Sequence, residues 1–269
     1  MVKSINAKLQ LPKPPPGCVP RARLIAPLWQ SLGLNATLIT AGAGWGKTVL
    51  AADFARLIGP RGWQVVWYSL GRDDQPMAVF FRHLVQAFQT VQADFGRNTR
   101  ALLAAEVTDC NPVRLTDSLL FDLTEQIDRP TAVFLDNLTY ALRTEWGGAV
   151  FNRLLPLLPA PLHFQLIARG TWGFTFSRLK AKQMLATIDA PMLAFTPGEA
   201  AALLTPPDKR SLTAAEIQLL LEHTRGRPSL LQLFCRGPLP GELETAPVGG
   251  SGANAASRRP DRGGGQRLY

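Results

Sequence analysis

A glycine-rich segment of eight residues carries the strongest chemical signal in the sequence. The segment from Ala41 to Thr48 reads AGAGWGKT, follows an apolar run and opens a helical pattern. Glycines let successive backbone N–H groups converge on phosphate oxygens, and the N-terminus of the following helix adds positive potential. In such a loop a lysine, here Lys47, pairs with the phosphates, and a hydroxyl, here that of Thr48, ligates Mg²⁺. The segment therefore predicts a phosphate-binding loop for a nucleoside triphosphate such as ATP.

The predicted binding segment extends through the loop into the first turn of the helix. Its residues are Gly42, Ala43, Gly44, Trp45, Gly46, Lys47, Thr48 and Val49. Ala41 departs from the strict pattern, which has glycine five residues before Gly46. The alternative is a glycine-rich turn that binds nothing, but the strand before it and the helix after it favour a phosphate loop. Trp45 could shield either the nucleotide or a neighbouring face of the protein.

A carboxylate at the end of an apolar run supplies the second chemical signal. The run Ala132–Leu135 is continuously apolar, as in a strand covered on both faces, and Asp136 follows it. Alone, an acid at a strand end is more often a helix cap or a surface turn. Beside a phosphate loop it instead predicts a Mg²⁺ site shared with Thr48.

Asn137 stands where many P-loop ATPases carry a second acid that accepts a proton from the attacking water. An amide can orient water but cannot accept that proton. The sequence therefore predicts that ATP is bound and that any hydrolysis is slow.

Apolar runs of strand length alternate with longer stretches of helical period, which is typical of an α/β fold with a mainly parallel sheet. The predicted strands are Ala36–Thr40, Gln64–Ser69, Thr131–Leu135, His163–Ala168 and Ala190–Phe195. The predicted helices between and after them are Lys47–Leu57, Met77–Gln92, Val113–Gln126, Trp146–Leu158, Phe176–Met184, Pro197–Leu204, Ala214–Thr224 and Ser229–Cys235.

Composition divides the chain into four predicted parts. Residues 1–35 form an N-terminal arm and entry helix, 36–195 the P-loop nucleotide-binding domain, and 196–236 a helical extension. Residues 237–269 are rich in Gly, Pro, Ala and Arg with almost no apolar period, which predicts a disordered tail. The abrupt change suggests a truncated or frame-shifted gene product.

A series of short motifs, in order and with consistent spacing, resembles one known family. The motifs are Lys8-Leu9, Val19–Leu24, the loop around Lys47, Val66–Leu70 followed by Asp73-Asp74, Leu135–Asn137, Leu166–Arg169 with Arg178-Leu179, Phe195–Pro197 with Glu199-Ala200, and Thr224–Pro228. Over roughly residues 8–236 the chain is similar to the N-terminal ATPase module of MalT-like transcriptional regulators. These regulators belong to the STAND branch of the P-loop NTPases.

The resemblance implies further site residues. Arg169 matches the family's sensor arginine, which reaches the terminal phosphate, so the implied catalytic group is Lys47, Asp136, Asn137 and Arg169. Pro228 matches the proline that packs on adenine, while Val19 and Arg21 match the segment beside base and ribose. From the residues alone, Arg169 could instead make a salt bridge at the strand end, although the phosphate role is favoured, and Arg21 could be a solvated charge. Pro228 could simply start a helix.

The resemblance also implies an ATP-binding signal-transduction switch that regulates transcription and assembly in longer relatives. Its implied ligands are ATP, ADP and Mg²⁺, and its implied partners are a second copy or a regulatory protein. The DNA-binding and sensor domains of the family are not recognisable in this chain. The alternatives are a non-hydrolysing, nucleotide-dependent interaction module or a motor ATPase acting on nucleic acid.

Charge and composition narrow the class further. The net charge is +9, and residues 1–100 hold 12 Lys and Arg against 4 Asp and Glu. No dense basic block is interleaved with aromatic residues, so attraction for a polyphosphate explains the charge better than a DNA surface does. No apolar run reaches the roughly 18 residues of a membrane span, and the N-terminus lacks the apolar segment of a signal peptide. Three widely separated cysteines suit a cytoplasmic protein.

Overall fold

The computed structural model describes residues 5–105, 111–170, 176–204 and 212–236. The predicted disordered tail, residues 237–269, lies outside these ranges. Within the described ranges, no helix combines the length and apolar character needed to cross a bilayer.

The central sheet has five parallel strands in the order β2-β3-β4-β1-β5. The strands are β1 Ala36–Thr40, β2 Gln64–Ser69, β3 Thr131–Asp136, β4 Leu162–Ala168 and β5 Leu185–Ile188. In register, Leu38 of β1 pairs with Leu166 of β4, and Val66 of β2 pairs with Val133 of β3. Because all the strands are parallel, their carboxyl ends meet at one edge. This arrangement confirms the predicted α/β class with five strands flanked by helices.

Helices connect the strands and cover both faces. Up to β3 they are α1 Ile5–Lys8, α2 Ala22–Ser31, α3 Lys47–Ile58, α4 Met77–Gln89, α5 Arg97–Ala105 and α6 Pro112–Gln126. After β3 they are α7 Thr139–Leu142, α8 Glu145–Leu154, α9 Ser177–Ala181, α10 Ala190–Leu193, α11 Pro197–Leu204, α12 Ala214–Thr224 and α13 Pro228–Arg236. Short 3₁₀ turns occupy Gly59–Arg61, Arg72–Asp74 and Leu155–Leu157.

Strand β3 shows how the sheet divides the core. All six of its residues are buried, and successive side chains point to opposite faces. Val133 and Leu135 join the apolar cluster formed with α4, α5, α6 and α8. Ala132 and Phe134 join the cluster formed with α2 and α3. Burial on both faces explains why this strand is continuously apolar.

The helical extension, α11 to α13, has a small apolar core of its own. That core contains Phe195, Ala200, Leu204, Ile217 and Leu231. Helix α12 starts with a capping box. The Thr213 hydroxyl accepts a hydrogen bond from the Glu216 N–H at 3.3 Å, and the Glu216 carboxylate accepts one from the Thr213 N–H at 2.7 Å.

The predicted strand Ala190–Phe195 is wrong. Strand β5 instead ends at Ile188, and Asp189 caps α10 by accepting a hydrogen bond from the Met192 N–H at 3.3 Å. Pro191 lacks the N–H that a sheet ladder requires, but it fits the first turn of a helix. The apolar run therefore belongs to a short helix after the strand.

Several helical segments also differ from the prediction. Helix α4 ends at Gln89 rather than Gln92, and α8 ends at Leu154 rather than Leu158. Helix α5, Arg97–Ala105, was not predicted because polar and basic residues interrupt its apolar period. The predicted helix Phe176–Met184 is shorter, and α9 covers Ser177–Ala181. None of these differences changes the ends of β1, β3 and β4, where the predicted site residues lie.

Candidate phosphate-binding site

The glycine-rich loop joins β1 to α3 at the carboxyl edge of the sheet. Gly44 and Gly46 have φ angles of +77° and +70°, which glycine adopts without steric cost. Helix α3 begins at Lys47, immediately after Gly46. The first N–H groups of a helix lack partners within it, so here they are available to an anion at the loop.

A cavity of about 240 Å³ lies against this loop. It is lined by Ala43, Gly44, Gly46, Lys47, Thr48, Val49, Asp136, Asn137, Ile167, Ala168 and Arg169. The four residues implied as catalytic, Lys47, Asp136, Asn137 and Arg169, therefore lie around one cavity. They come from the ends of β3 and β4 and from the start of α3.

Lys47 is buried, with 8% of its surface exposed, and its Nζ donates a hydrogen bond to the Gly42 carbonyl at 2.7 Å. The pKa of Lys47 is lowered to about 8, mainly by burial and also by the positive charges of Arg169 and Arg227. The carboxylate of Asp136 acts in the opposite direction. A group of nearby cations is an arrangement that an anion would stabilise.

Thr48 and Asp136 bring oxygen donors together across the sheet edge. The Thr48 hydroxyl donates to the Asp136 carboxylate, with distances of 3.0 and 3.2 Å to its two oxygens. A carboxylate and a hydroxyl are the oxygen ligands that Mg²⁺ takes beside phosphates. The residues present therefore fit the predicted ion.

Asn137 lies at the cavity wall in a left-handed conformation, with φ of +56°. Asparagine is one of the residues that tolerate this conformation best. Its backbone N–H donates to Asp136 Oδ1 at 2.9 Å, and its carbonyl accepts from the Tyr140 N–H at 3.1 Å. The turn after β3 thus fixes Asn137 directly beside the Asp136 carboxylate.

Arg169 follows β4, lines the cavity and is exposed to solvent. Its backbone N–H donates to the Thr139 hydroxyl at 2.9 Å, which joins the end of β4 to α7. Strand β4 lies between β1 and β3, so its end projects between the phosphate loop and Asp136.

A second cavity of about 180 Å³ adjoins the other side of the loop. Gly44, Gly46 and Val49 line both cavities. The second is also lined by Pro15, Cys18, Val19, Arg21, Phe195, Leu203, Pro228, Ser229 and Gln232. It therefore brings together Val19, Arg21 and Pro228, the three positions that the resemblance matches to the base and ribose. Val19 and Arg21 are near the N-terminus, whereas Pro228 starts α13.

Arg21 is tied to the phosphate loop rather than solvated. Its guanidinium donates to the carbonyls of Trp45 at 3.1 Å, Gly46, and Leu193 at 3.2 Å. It also lies 5.7 Å from the centre of the Phe195 ring, and burial lowers its pKa to about 10. The solvated-charge alternative is wrong, because only 6% of the residue is exposed.

The Trp45 side chain packs against the apolar cluster around α2 and α3. It is absent from the linings of both cavities. The contact covers a neighbouring face of the protein, and a role of Trp45 beside the nucleotide stays a prediction.

Asp73 and Asp74 form a separate charged cluster after β2. Lys8 Nζ lies 2.6 Å from a carboxylate oxygen of each, and His83 Nδ1 lies 2.6 Å from the other oxygen of Asp74. Asp74 and Lys8 are both buried. These contacts anchor α1 to the edge of the sheet, and neither carboxylate lines the phosphate cavity.

Two residues beside the loop were missed in the sequence. The Ser229 N–H donates to the Gly44 carbonyl at 3.1 Å, and Arg227 lies next to the same glycine. The resemblance gives a role only to the proline of the motif Gly226-Arg227-Pro228. The basic residue inside it was the available signal.

Proteins similar to this chain are found both by sequence and by structure. No family model matches the chain. The serine/threonine-protein kinase PknK of Mycobacterium tuberculosis is 30% identical over 204 residues, which cover 73% of this chain and 17% of that protein. PknK of Mycobacterium bovis matches equally. The chain thus spans about a sixth of the length of these curated relatives.

Among solved structures, the chain is similar to a STAND protein with a tetratricopeptide repeat sensor, PH0952 from Pyrococcus horikoshii. The TM-score is 0.53 at 17% identity, covering 84% of this chain and 31% of that one. The ORC1 protein of Aeropyrum pernix in complex with DNA gives 0.51 at 12% identity, covering 82% and 60%. Drosophila ORC bound to DNA gives 0.51 at 16% identity, covering 80% and 60%. The sheet order, the loop and these neighbours define the fold as that of a P-loop NTPase.

Proposed function

We propose that the chain is an ATP-binding switch module of the MalT-like kind, acting in the cytoplasm. The observation that carries this proposal is the meeting of Lys47, Thr48, Asp136 and Arg169 around one cavity beside the glycine-rich loop. Each has the chemistry that a nucleoside triphosphate with its metal ion requires. In the sequence these groups are spread over more than a hundred residues.

The two adjoining cavities suggest where each part of the nucleotide would lie. The phosphates would lie in the first cavity, where Lys47 and Arg169 supply positive charge and α3 supplies N–H groups. The base and ribose would lie in the second cavity, among Val19, Phe195 and Pro228. Arg21 would act there by holding the loop carbonyls, because its guanidinium is already hydrogen-bonded to them.

Mg²⁺ would be held by the Thr48 hydroxyl and the Asp136 carboxylate, which already lie within hydrogen-bond distance of each other. Bound there, the ion would neutralise charge on the phosphates. The protein's own contribution is to fix these oxygens beside Lys47 and to hold Asn137 against the cavity.

A switch follows from the elements that meet at the loop. The N-terminal segment contacts it through Arg21, and the extension contacts it through Ser229. A nucleotide that contacts all three would stabilise their association, and its release would weaken that association. In this proposal a second copy or a regulatory protein binds the nucleotide-bound and nucleotide-free forms differently.

Asn137 favours a second candidate, a nucleotide-dependent interaction module that does not hydrolyse ATP. The amide beside Asp136 cannot accept a proton from water. The two candidates share the binding site and differ in turnover. The kinase activity and the DNA named for the relatives and neighbours are not transferred to this chain, because those matches cover only part of the longer proteins or carry the fold alone.

The test is Mg²⁺-dependent ATP binding and single-turnover hydrolysis by the full chain. Lys47→Ala should weaken ATP binding by about 1.5–3 kcal/mol, the scale of a charge-assisted contact. Lys182→Ala removes the same charge from an exposed position outside the cavity linings and should bind ATP like the wild type. Equal ATP affinity in the wild type and a folded Lys47→Ala variant would disprove the proposal.

A further inference from the structure

Arg227 has an unusual environment for an arginine. It lies between α12 and α13, just before Pro228. Its Nε is buried and, within the part of the chain that the structure describes, has no hydrogen-bond partner. A buried donor without a partner costs free energy, so the position favours a ligand that accepts from it.

The surroundings of Arg227 identify the phosphate loop as its neighbour. A Cβ placed on Gly44 would lie 3.1 Å from Arg227 Nε and 2.7 Å from Ser229 Cβ. The Ser229 N–H donates to the Gly44 carbonyl, which fixes the start of α13 against the loop. Gly44 is itself part of the wall of both cavities. The absence of a side chain at residue 44 thus allows the arginine to approach the loop.

Besides Arg21, three cationic side chains therefore lie around the same loop: Lys47, Arg169 and Arg227. The charges of Arg169 and Arg227 both act to lower the pKa of the Lys47 amine, Arg227 the less strongly, while the Asp136 carboxylate acts to raise it. While no phosphate is bound, the carboxylate of Asp136 offsets only part of the repulsion among the three cations. A polyphosphate would reverse the sign of that interaction.

We propose that Arg227 binds the phosphate chain of the nucleotide, and that it is the group through which the helical extension detects the ligand. A guanidinium presents several donors in one plane and can contact two phosphate oxygens at once. Pro228, the next residue, lines the second cavity, in which the base and ribose would lie. This turn of the extension would therefore contact both ends of the ligand. The inference rests on the proposed nucleotide binding.

The experiment separates a phosphate contact from a packing role. Affinity is measured for Mg-ATP and, by competition, for Mg²⁺ with inorganic tripolyphosphate, which has no base or ribose. In Arg227→Ala both affinities should fall by about tenfold or more, the scale of a charge-assisted contact, and by similar factors. Arg227→Lys, which keeps the charge, should recover part of the loss.

The matched control is Arg129→Ala, which removes an exposed arginine just before β3, at the opposite edge of the sheet. It should bind both ligands like the wild type. Thermal unfolding without ligand checks each variant, and Arg227→Ala should melt no lower than the wild type, since it removes a buried donor without a partner.

Two results would overturn the inference. Unchanged affinities in Arg227→Ala would show that the arginine does not contact the ligand. A loss for Mg-ATP with unchanged tripolyphosphate affinity would show that it acts through packing at the base. If Lys47→Ala still weakened ATP binding in either case, the proposed function would stand without a role for Arg227. A wild-type chain that bound no Mg-ATP would instead remove the proposed function itself.

Discussion

The lowered pKa of Lys47 leads to a pH dependence of ATP binding that an ordinary lysine would not produce. Phosphates bind the ammonium form, and the pKa of this amine is about 8 in the protein without ligand. As the pH rises through 8, Lys47 is neutral in a growing fraction of the protein. In that fraction Lys47 must take up a proton when ATP binds. Affinity should therefore be nearly constant below pH 7.5 and fall above pH 8.

The magnitude follows from the protonated fraction. With a pKa of about 8, that fraction falls from about nine-tenths at pH 7 to about one-tenth at pH 9, so ATP affinity should drop roughly tenfold. A lysine at its ordinary pKa of 10.5 would lose only a few per cent over this range. The last phosphate ionisation, near pH 6 to 7, is complete above pH 8 and does not contribute there.

The assay is equilibrium titration with Mg-ATP between pH 7 and pH 9 at constant ionic strength. Arg169→Ala serves as the second arm, because removing that cation should raise the pKa of Lys47 and move the decline to higher pH. Its overall affinity should also be lower. An affinity independent of pH over this range, or a midpoint that Arg169→Ala leaves in place, would refute the reasoning.

Three further predictions test other parts of the molecule. Asn137→Asp should raise single-turnover ATP hydrolysis at least about tenfold with little change in affinity, because it supplies a proton acceptor. An unchanged rate in a folded variant would remove Asn137 from the mechanism. Gly44→Ala should weaken ATP binding and lower the melting temperature, since its Cβ would meet Ser229 and its φ is positive, whereas Gly148→Ala in open space should do neither. The pKa of buried His163 is lowered to about 4, so protonation of this residue should destabilise the fold by up to about 3 kcal/mol as the pH falls from 6.5 to 4. Urea unfolding at several pH values measures this loss, and His163→Gln should remove that part of it; an equally steep loss in the variant would point to other groups.

The sequence by itself determined the class of fold and the chemistry of the loop. Both are local patterns: alternating apolar runs specify strands and helices, and eight contiguous residues specify the phosphate loop. Strand β3 and Asp136 were predictable for the same reason, because a strand buried on both faces must be continuously apolar. Strand β5 was not, since it is short and half of its residues are partly exposed, while a more apolar segment follows it.

Only the tertiary structure decided which distant groups meet at the loop. No sequence pattern states that Arg21 donates to the carbonyls of Trp45 and Gly46, or that Arg227 approaches Gly44. Nor does a pattern place Asp73 and Asp74 on Lys8, away from the cavity. Periodicity and propensity report on neighbours along the chain, whereas these contacts depend on the order of the strands and on how the extension packs against their carboxyl edge.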